Sequence, residues 1–124
     1  MATSEEKKRA VEQYIASVST GDLDSIVTLF ATDATLEDPV GSDPISGHEA
    51  IRAFYARATK MGIKLEPTGP ARLAGDEAAF PFRVTTVGGP EMTIDVIDVF
   101  RFDASGKVAS MRAYWGKENM KMGK

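Results

Sequence analysis

An alternation of apolar and polar residues over positions 91–102 is the feature that most restricts the fold of this chain. Because side chains alternate between the two faces of a strand, the pattern predicts a long strand with one apolar face. Turn signals bound it on both sides, Gly-Gly-Pro at 88–90 and a hairpin turn at 103–106. The segments 79–87 and 107–115 alternate in the same way, so the second half of the sequence predicts an antiparallel meander.

Helical signals precede these strands. The segment 3–6 has the pattern of a capping box, in which Thr and Glu stand three residues apart, and it begins a helix that Gly21 ends. Asp22 can cap a short second helix, and a second capping-box pattern at 46–49 opens a third. The helical spacing predicts these inward residues: Val11, Tyr14, Ile15 and Val18; Leu23, Ile26, Val27 and Phe30; Ile51, Phe54, Tyr55 and Ala58.

Helices followed by a meander are typical of the α+β class, in which helices cover one face of a sheet. A short strand is also predicted at 33–38, and Ile63 with Leu65 indicates another. We therefore predict one α+β domain, residues 1–124, with three N-terminal helices packed on a curved, mostly antiparallel mixed sheet. The tail, 117–124, is expected to fray.

The composition excludes several kinds of active site and partner. The chain has no cysteine and one histidine, His48, so a thiolate nucleophile and a multi-histidine metal site are impossible. A net charge of −3 does not fit a nucleic-acid-binding surface. Charged residues interrupt every apolar run, and the N-terminal MATSEEKKRA lacks the apolar stretch of a signal peptide. We expect a cytoplasmic protein with no membrane span, in which His48 is solvated.

Asp98 is the one polar residue on the apolar face of the predicted strand 91–102. Burial of a charged carboxylate at such a position is costly. The usual outcome is a raised pKa, which leaves a neutral acid able to donate a hydrogen bond. An ion pair with Arg83, Arg101 or Arg112 is the structural alternative.

Three further polar side chains are predicted to point inward. Asp38 lies on the apolar face of the strand 33–38, and Tyr14 and Tyr55 lie in the apolar stripes of the first and third helices. Each also has an ordinary interpretation, because a buried tyrosine usually packs in the core and an aspartate before proline is usually a turn residue.

Five features in this order resemble bacterial ketosteroid isomerase, the steroid Δ5-isomerase family of the NTF2-like (cystatin-like) cone fold. They are Tyr14 in the first helix, LEDPVG around Asp38, AFYAR around Tyr55, DVIDVFRFD around Asp98, and MRAYWG near the end. The resemblance implies isomerisation of 3-oxo-Δ5-steroids to 3-oxo-Δ4-steroids, by proton transfer from C4 to C6 through a dienolate.

The resemblance also implies a role for each residue. Asp38 matches the general base, Tyr14 the main oxyanion-hole donor, and Asp98 the protonated acid that is the second donor. Tyr55 matches the hydrogen-bonding partner of Tyr14. The matching apolar pocket positions are Phe54, Phe82, Met111 and Trp115, although core packing is the ordinary interpretation of the last two.

The family pattern further implies no metal and no organic cofactor. Its substrate is a small, apolar steroid, and apolar walls suit such a flat, nearly uncharged molecule. It also implies a homodimer packed through the exposed face of the sheet, where Ile97 and Val99 are predicted to lie.

Two other kinds of function remain open from the sequence. Among other cone-fold enzymes, dehydratases need inward histidines, which are missing, and epoxide hydrolases need an Asp-Arg-Asp set, which no pattern here identifies. A non-catalytic binder of a small apolar ligand, or a dimerising accessory domain, is the other alternative. Such a binder gains nothing from two inward carboxyl groups, because each adds a desolvation cost.

Overall fold

The computed structural model describes residues 2–123, which form three α-helices and an eight-stranded sheet. The helices are α1 (Ser4–Thr20), α2 (Leu23–Val27) and α3 (His48–Thr59). The strands are β1 (Phe30–Glu37), β2 (Ile45–Ser46), β3 (Ile63–Pro67), β4 (Arg72–Ala74), β5 (Glu77–Thr86), β6 (Met92–Phe102), β7 (Val108–Tyr114) and β8 (Met120–Met122). A 3₁₀ turn, Lys117–Asn119, joins β7 to β8.

The first helix begins and ends where the sequence predicts. The Thr3 hydroxyl accepts a hydrogen bond from the Glu6 backbone N–H, and the Glu6 carboxylate accepts one from the Thr3 N–H. Gly21 ends the helix at a φ of 72°, in the left-handed region that glycine adopts without strain. These caps fix the rotation of α1 and direct Val11, Tyr14 and Val18 into the core.

The sheet is mixed, with the strand order β2-β1-β7-β6-β5-β3. β1 and β7 run parallel, and the other neighbouring pairs are antiparallel. β4 and β3 both pair with β5, and β8 pairs with β6 beyond the point where β7 ends. The predicted α+β class and the mixed, curved sheet are therefore confirmed.

One face of the sheet carries the core, and the other faces away from the helices. Along β6 the alternate residues Val96, Asp98, Phe100 and Phe102 are buried, which confirms the predicted parity. Burial of a side chain such as Phe100 contributes about 1.5–3 kcal/mol. On the outer face, Arg83 pairs with Asp95 and Arg112 pairs with Glu37. No helix in residues 2–123 is long and apolar enough to cross a membrane.

The start of the third helix differs from the prediction. Ser46 lies in β2, where it pairs with Thr35, and Gly47 caps α3 without any side-chain hydrogen bond. The predicted capping box at 46–49 is therefore wrong, because strand pairing holds Ser46 away from the helix end. His48 is half-buried and its Nε2 contacts the Phe30 carbonyl at 2.8 Å, so it is not the solvated residue expected.

The predicted end of the second helix is also corrected. Phe30 is fully buried as predicted, but it is the first residue of β1. At the other end of the sheet, an irregularity between β6 and β7 pairs Phe102 with Val108 and Arg101 with Ser110. The intervening Ala109 is the extra residue, so Val108 also lies in the core.

The C-terminal segment does not fray as predicted for 117–124, because residues 117–122 form a 3₁₀ turn and a strand. Lys124 lies outside the described residues. Met122, Lys121 and Met120 pair with Met92, Thr93 and Ile94 of β6. These pairs satisfy backbone groups of β6 that β7 does not reach, which is why the tail adopts a strand. β4 was not predicted, since its three residues are too few for a pattern of alternation.

Candidate active site

A cavity of about 240 Å³ lies between the helices and the apolar face of the sheet. Two carboxyl groups and two tyrosines share its otherwise apolar wall: Asp38, Asp98, Tyr14 and Tyr55. The remaining lining residues are Val18, Phe54, Ala58, Met61, Ile63, Leu65, Phe82, Val84, Met92, Ile94, Val96 and Trp115. The cavity runs from a deeply buried end at Tyr14 and Asp98 to an open end at Met61, whose side chain is 56% exposed.

Asp98 stands at the buried end, 1% exposed, between Phe80 of β5 and Ala113 of β7. Neither of its carboxyl oxygens has a hydrogen-bond partner among the described residues. Burial raises the pKa of Asp98 well above its ordinary value, and the nearby charge of Asp38 raises it further. The Tyr14 hydroxyl opposes this shift in pKa without forming a regular hydrogen bond. The environment therefore favours the neutral acid.

The three arginines considered from the sequence as ion-pair partners of Asp98 do not contact it. Arg83 binds both oxygens of Asp95 at 2.8 and 3.1 Å, and Arg112 binds Glu37 at 3.3 Å. Arg101 is exposed on the opposite face of β6. Because the Asp98 oxygens meet none of them, the ion-pair interpretation is excluded.

Tyr14 and Tyr55 form a buried pair beside Asp98. Their hydroxyl oxygens are 2.8 Å apart, and the rings meet edge to face at 5.9 Å between centroids. Tyr14 also packs edge to face on Phe80 and Phe100. Burial raises the pKa of both hydroxyls well above the ordinary value, so both keep their protons. If Tyr55 donates to Tyr14, the Tyr14 proton is free to point into the cavity.

Asp38 follows directly after β1 and enters the cavity from a different wall. Its Oδ1 accepts a hydrogen bond of 2.7 Å from Nε1 of Trp115. Burial raises the pKa of Asp38, and the Trp115 bond lowers it in part. Asp38 is joined to Pro39 by a cis peptide bond. The group is thus a carboxylate that is more basic than an exposed one, and it is held at a defined position.

Backbone contacts fix the loop that carries Asp38. The Val40 N–H donates to the Ala113 carbonyl at 2.8 Å, and the Glu37 carboxylate accepts from the Gly41 N–H at 2.8 Å. Both the backbone N–H and the hydroxyl of Ser42 donate to the Pro39 carbonyl. These bonds anchor the loop independently of the indole.

A closed turn fixes the position of Trp115. Directly after it, the Gly116 N–H donates to the Asn119 side-chain oxygen at 2.8 Å, and the Asn119 N–H donates to the Gly116 carbonyl at 2.9 Å. β8 then anchors the far side of the turn to β6. From sequence, Trp115 is expected to be a pocket wall or an ordinary core residue, with no role for its N–H. The missed signal is that a buried indole N–H usually requires an acceptor.

The predicted pocket residues are only partly brought together. Phe54, Phe82 and Trp115 line the cavity, whereas Met111 does not. Met111 is fully buried in the core, where it pairs with Leu36 of β1 and Phe100 of β6. The prediction for Met111 is corrected to core packing.

The site combines a basic carboxylate with hydroxyl donors in an apolar cavity. Asp38 can accept a proton, and Tyr14 and neutral Asp98 can donate hydrogen bonds to an oxygen that gains charge. Within residues 2–123, no three His, Asp or Glu side chains cluster as a metal site. The arrangement suits proton transfer next to a carbonyl group.

Comparison with known proteins identifies the family. The sequence model of the SnoaL-like domain family matches residues 11–111. The chain belongs to this family, which is NTF2-like. This confirms the predicted superfamily.

Three relatives are similar over most of this chain. A steroid Delta-isomerase of Nocardioides simplex is 43% identical over 118 residues, covering 94% of this chain and 95% of the relative. The epoxide hydrolase LasB of Streptomyces lasalocidi is 32% identical over 117 residues, which cover 89% of this chain but only 41% of LasB. A solved structure of the epoxide hydrolase/cyclase-like enzyme SalBIII, described for pyran ring formation in salinomycin, is 29% identical with a TM-score of 0.90, covering 98% of this chain and 99% of SalBIII.

Proposed function

We propose that this protein is a steroid Δ5-isomerase, which converts 3-oxo-Δ5-steroids into 3-oxo-Δ4-steroids. The observation that carries the proposal is Asp98, a fully buried carboxyl group with unpartnered oxygens in the same cavity as Asp38 and Tyr14. An unsatisfied buried polar group costs stability and needs an explanation, which a role in catalysis supplies. The similarity to the Nocardioides isomerase over nearly the whole chain supports the same activity.

Asp38 acts as the general base that moves one proton. Its carboxylate removes a proton from C4, so that the C4–H bond breaks, an O–H bond forms and the electrons pass into a dienolate. The same group then returns the proton to C6, and the double bond moves from C5–C6 to C4–C5. The raised pKa of Asp38 suits both steps, because the group must accept the proton and hold it until the return.

Tyr14 and Asp98 stabilise the charge that develops on the steroid C3 oxygen. Both keep their protons because burial raises the pKa of each, so both can donate a hydrogen bond. Tyr55 holds the Tyr14 hydroxyl in place through the 2.8 Å contact. Donors prearranged in an apolar, water-poor site act more strongly than in water, and losing one typically costs about 10²–10³ in rate.

The assembly and location of the protein stay predictions. Two apolar side chains on the outer face of the sheet, Ile97 and Tyr114, are 48% and 43% exposed. This exposure is consistent with the expected homodimer through that face. Sedimentation equilibrium measures the dimer directly. The sequence likewise predicts that the protein is located in the cytoplasm.

Epoxide opening is the second candidate, favoured by the similarity to LasB and SalBIII. A basic Asp38 and a neutral Asp98 could serve as base and acid for that reaction as well. No arginine lines the cavity in the described part of the chain, so the Asp-Arg-Asp set expected of epoxide hydrolases is not found there. This difference favours isomerisation.

The test follows the absorbance of the conjugated enone that forms from androst-5-ene-3,17-dione. We expect turnover that Asp38→Asn abolishes, while the surface variant Asp33→Asn leaves it unchanged. Asp33 is the matched control, because it is an exposed aspartate of β1 outside the cavity. Absence of enone formation together with hydrolysis or cyclisation of an epoxide substrate would establish the second candidate instead.

A further inference from the structure

Methionines gather at the open end of the cavity. Met61 and Met92 line it, and Met61 is 56% exposed. In β8, Met122 pairs with Met92 and Met120 pairs with Ile94. Directly paired residues of antiparallel strands project from the same face, so both β8 methionines extend the cavity face outward. We call these four side chains, Met61, Met92, Met120 and Met122, the methionine rim.

The rim lies beyond the reach of a steroid nucleus bound at the buried end. Asp98 and Met92 share one face of β6, six residues apart, which corresponds to about 20 Å along the strand at about 3.3 Å per residue. A nucleus of four fused rings, built from C–C bonds of about 1.5 Å, spans on the order of 10 Å. With its C3 oxygen at Asp98, the nucleus ends near Ile94, short of Met92 and of its strand partner Met122.

The size of the cavity indicates the same. Its volume of about 240 Å³ is below the ~300–1,000 Å³ of typical ligand pockets, so a large substituent at C17 must extend out of the cavity, over the rim. Among the cavity-lining residues of the described chain, Asp38 and Asp98 are the only charged types. Lys121 belongs to the rim strand, but it pairs with Thr93 and projects to the other face. The four rim side chains are thus apolar, and no cation is among the described residues that line the cavity.

We propose that the methionine rim binds the substituent at C17 and selects steroids that carry an alkyl chain there. The inference rests on the proposed isomerase function and names the substrate class of that same site. Methionine side chains are flexible and polarisable, so they can adapt to the branched end of such a chain. A carboxylate at C17 would lose part of its hydration against the rim and would meet no cation among the described cavity-lining residues, so it should be discriminated against.

The experiment compares kcat/KM for three substrates that differ only at C17: cholest-5-en-3-one, androst-5-ene-3,17-dione and the 17-carboxylate of androst-5-en-3-one. We expect at least about tenfold discrimination in favour of the alkyl chain over the carboxylate, comparable to the loss of one apolar group from a pocket. In Met122→Ser and Met61→Ser, kcat/KM for the alkyl substrate should fall about five- to tenfold more than for the 17-oxo substrate, mainly through KM.

Lys121→Ser is the matched control, because it changes the same short strand on the face away from the rim. It should leave the preference among the three substrates as in the parent. An equal change of preference in Lys121→Ser and Met122→Ser would overturn the inference, since strand β8 as a whole would then be responsible. If the rim variants turn over steroids with the same preference as the parent, the role of the rim is refuted and the isomerase function stands. If the parent turns over no steroid, the isomerase function itself is refuted.

Discussion

The hydrogen bond from Trp115 to Asp38 should determine the pH at which the enzyme becomes active. The Trp115 Nε1–H donates to Oδ1 of Asp38 at 2.7 Å, and this bond lowers a pKa that burial raises. In Trp115→Phe the ring stays apolar and the donor is lost. The pKa of Asp38 should therefore rise.

The size of the shift follows from the strength of a hydrogen bond to a charged group, about 1.5–3 kcal/mol. Since one pKa unit corresponds to about 1.4 kcal/mol, the pKa of Asp38 should rise by about one to two units. In the proposed mechanism Asp38 must be ionised to accept the proton from C4. The acidic limb of the kcat/KM profile should then move to higher pH by the same amount.

The measurement is the pH dependence of kcat/KM, followed by enone absorbance. Above the acidic limb, we expect kcat to fall about tenfold, because the carboxylate has lost an anchor that orients it. The loop contacts of Val40, Gly41 and Ser42 remain, so the fold should persist. Phe54→Leu is the control: it changes another aromatic wall without touching Asp38, and should raise KM while leaving the acidic limb in place. An acidic limb that stays put or moves to lower pH in Trp115→Phe would refute the reasoning.

Three further substitutions test the other groups. Asp38→Asn should remove nearly all activity with the fold intact, because an amide cannot accept the proton; a large residual kcat would contradict the role of base. Tyr14→Phe should slow turnover by about 10²–10³ and more than Tyr55→Phe, since in the proposed mechanism Tyr14 contacts the oxyanion directly; the reverse order in kcat would mean that the two tyrosines exchange roles. Asp98→Asn should reduce kcat only mildly, because the amide still donates, whereas Asp98→Ala should lose clearly more. Because the pKa of Asp98 is raised in the folded protein, Asp98 stabilises the fold while it is protonated. This contribution to the free energy of unfolding is complete below pH 3.8 and is lost as pH rises through the folded-state pKa. Over that window the free energy of unfolding of the parent should fall relative to Asp98→Asn by about 1.4 kcal/mol per pH unit in thermal or urea melts; a constant difference would mean that Asp98 does not titrate as proposed.

Residues governed by local periodicity could be predicted from the sequence. The alternation along β6 placed Asp98 on the buried face, and the helical spacing of α1 directed Tyr14 inward. Both inferences need only the geometry of a single element. The pocket position of Phe82 came from the family resemblance, and Phe82 lines the cavity.

Residues whose environment depends on distant pairing could not be predicted in this way. Trp115 and Asp38 are 77 residues apart, and their contact depends on β7 lying parallel to β1. The same applies to Ser46, which joins a strand in place of capping a helix. Met111 follows the correct parity but lies behind the cavity, because parity defines a face of the sheet and not the position of a pocket along it.

Trp115 is the single tryptophan of the chain, and its indole is bonded to Asp38. The emission of an indole depends on the charge beside its N–H. The protein therefore contains its own optical reporter, without any label, for the protonation of one carboxyl group. A fluorescence titration of the ligand-free protein can follow that group independently of turnover, and a ligand that enters the cavity should change the same signal.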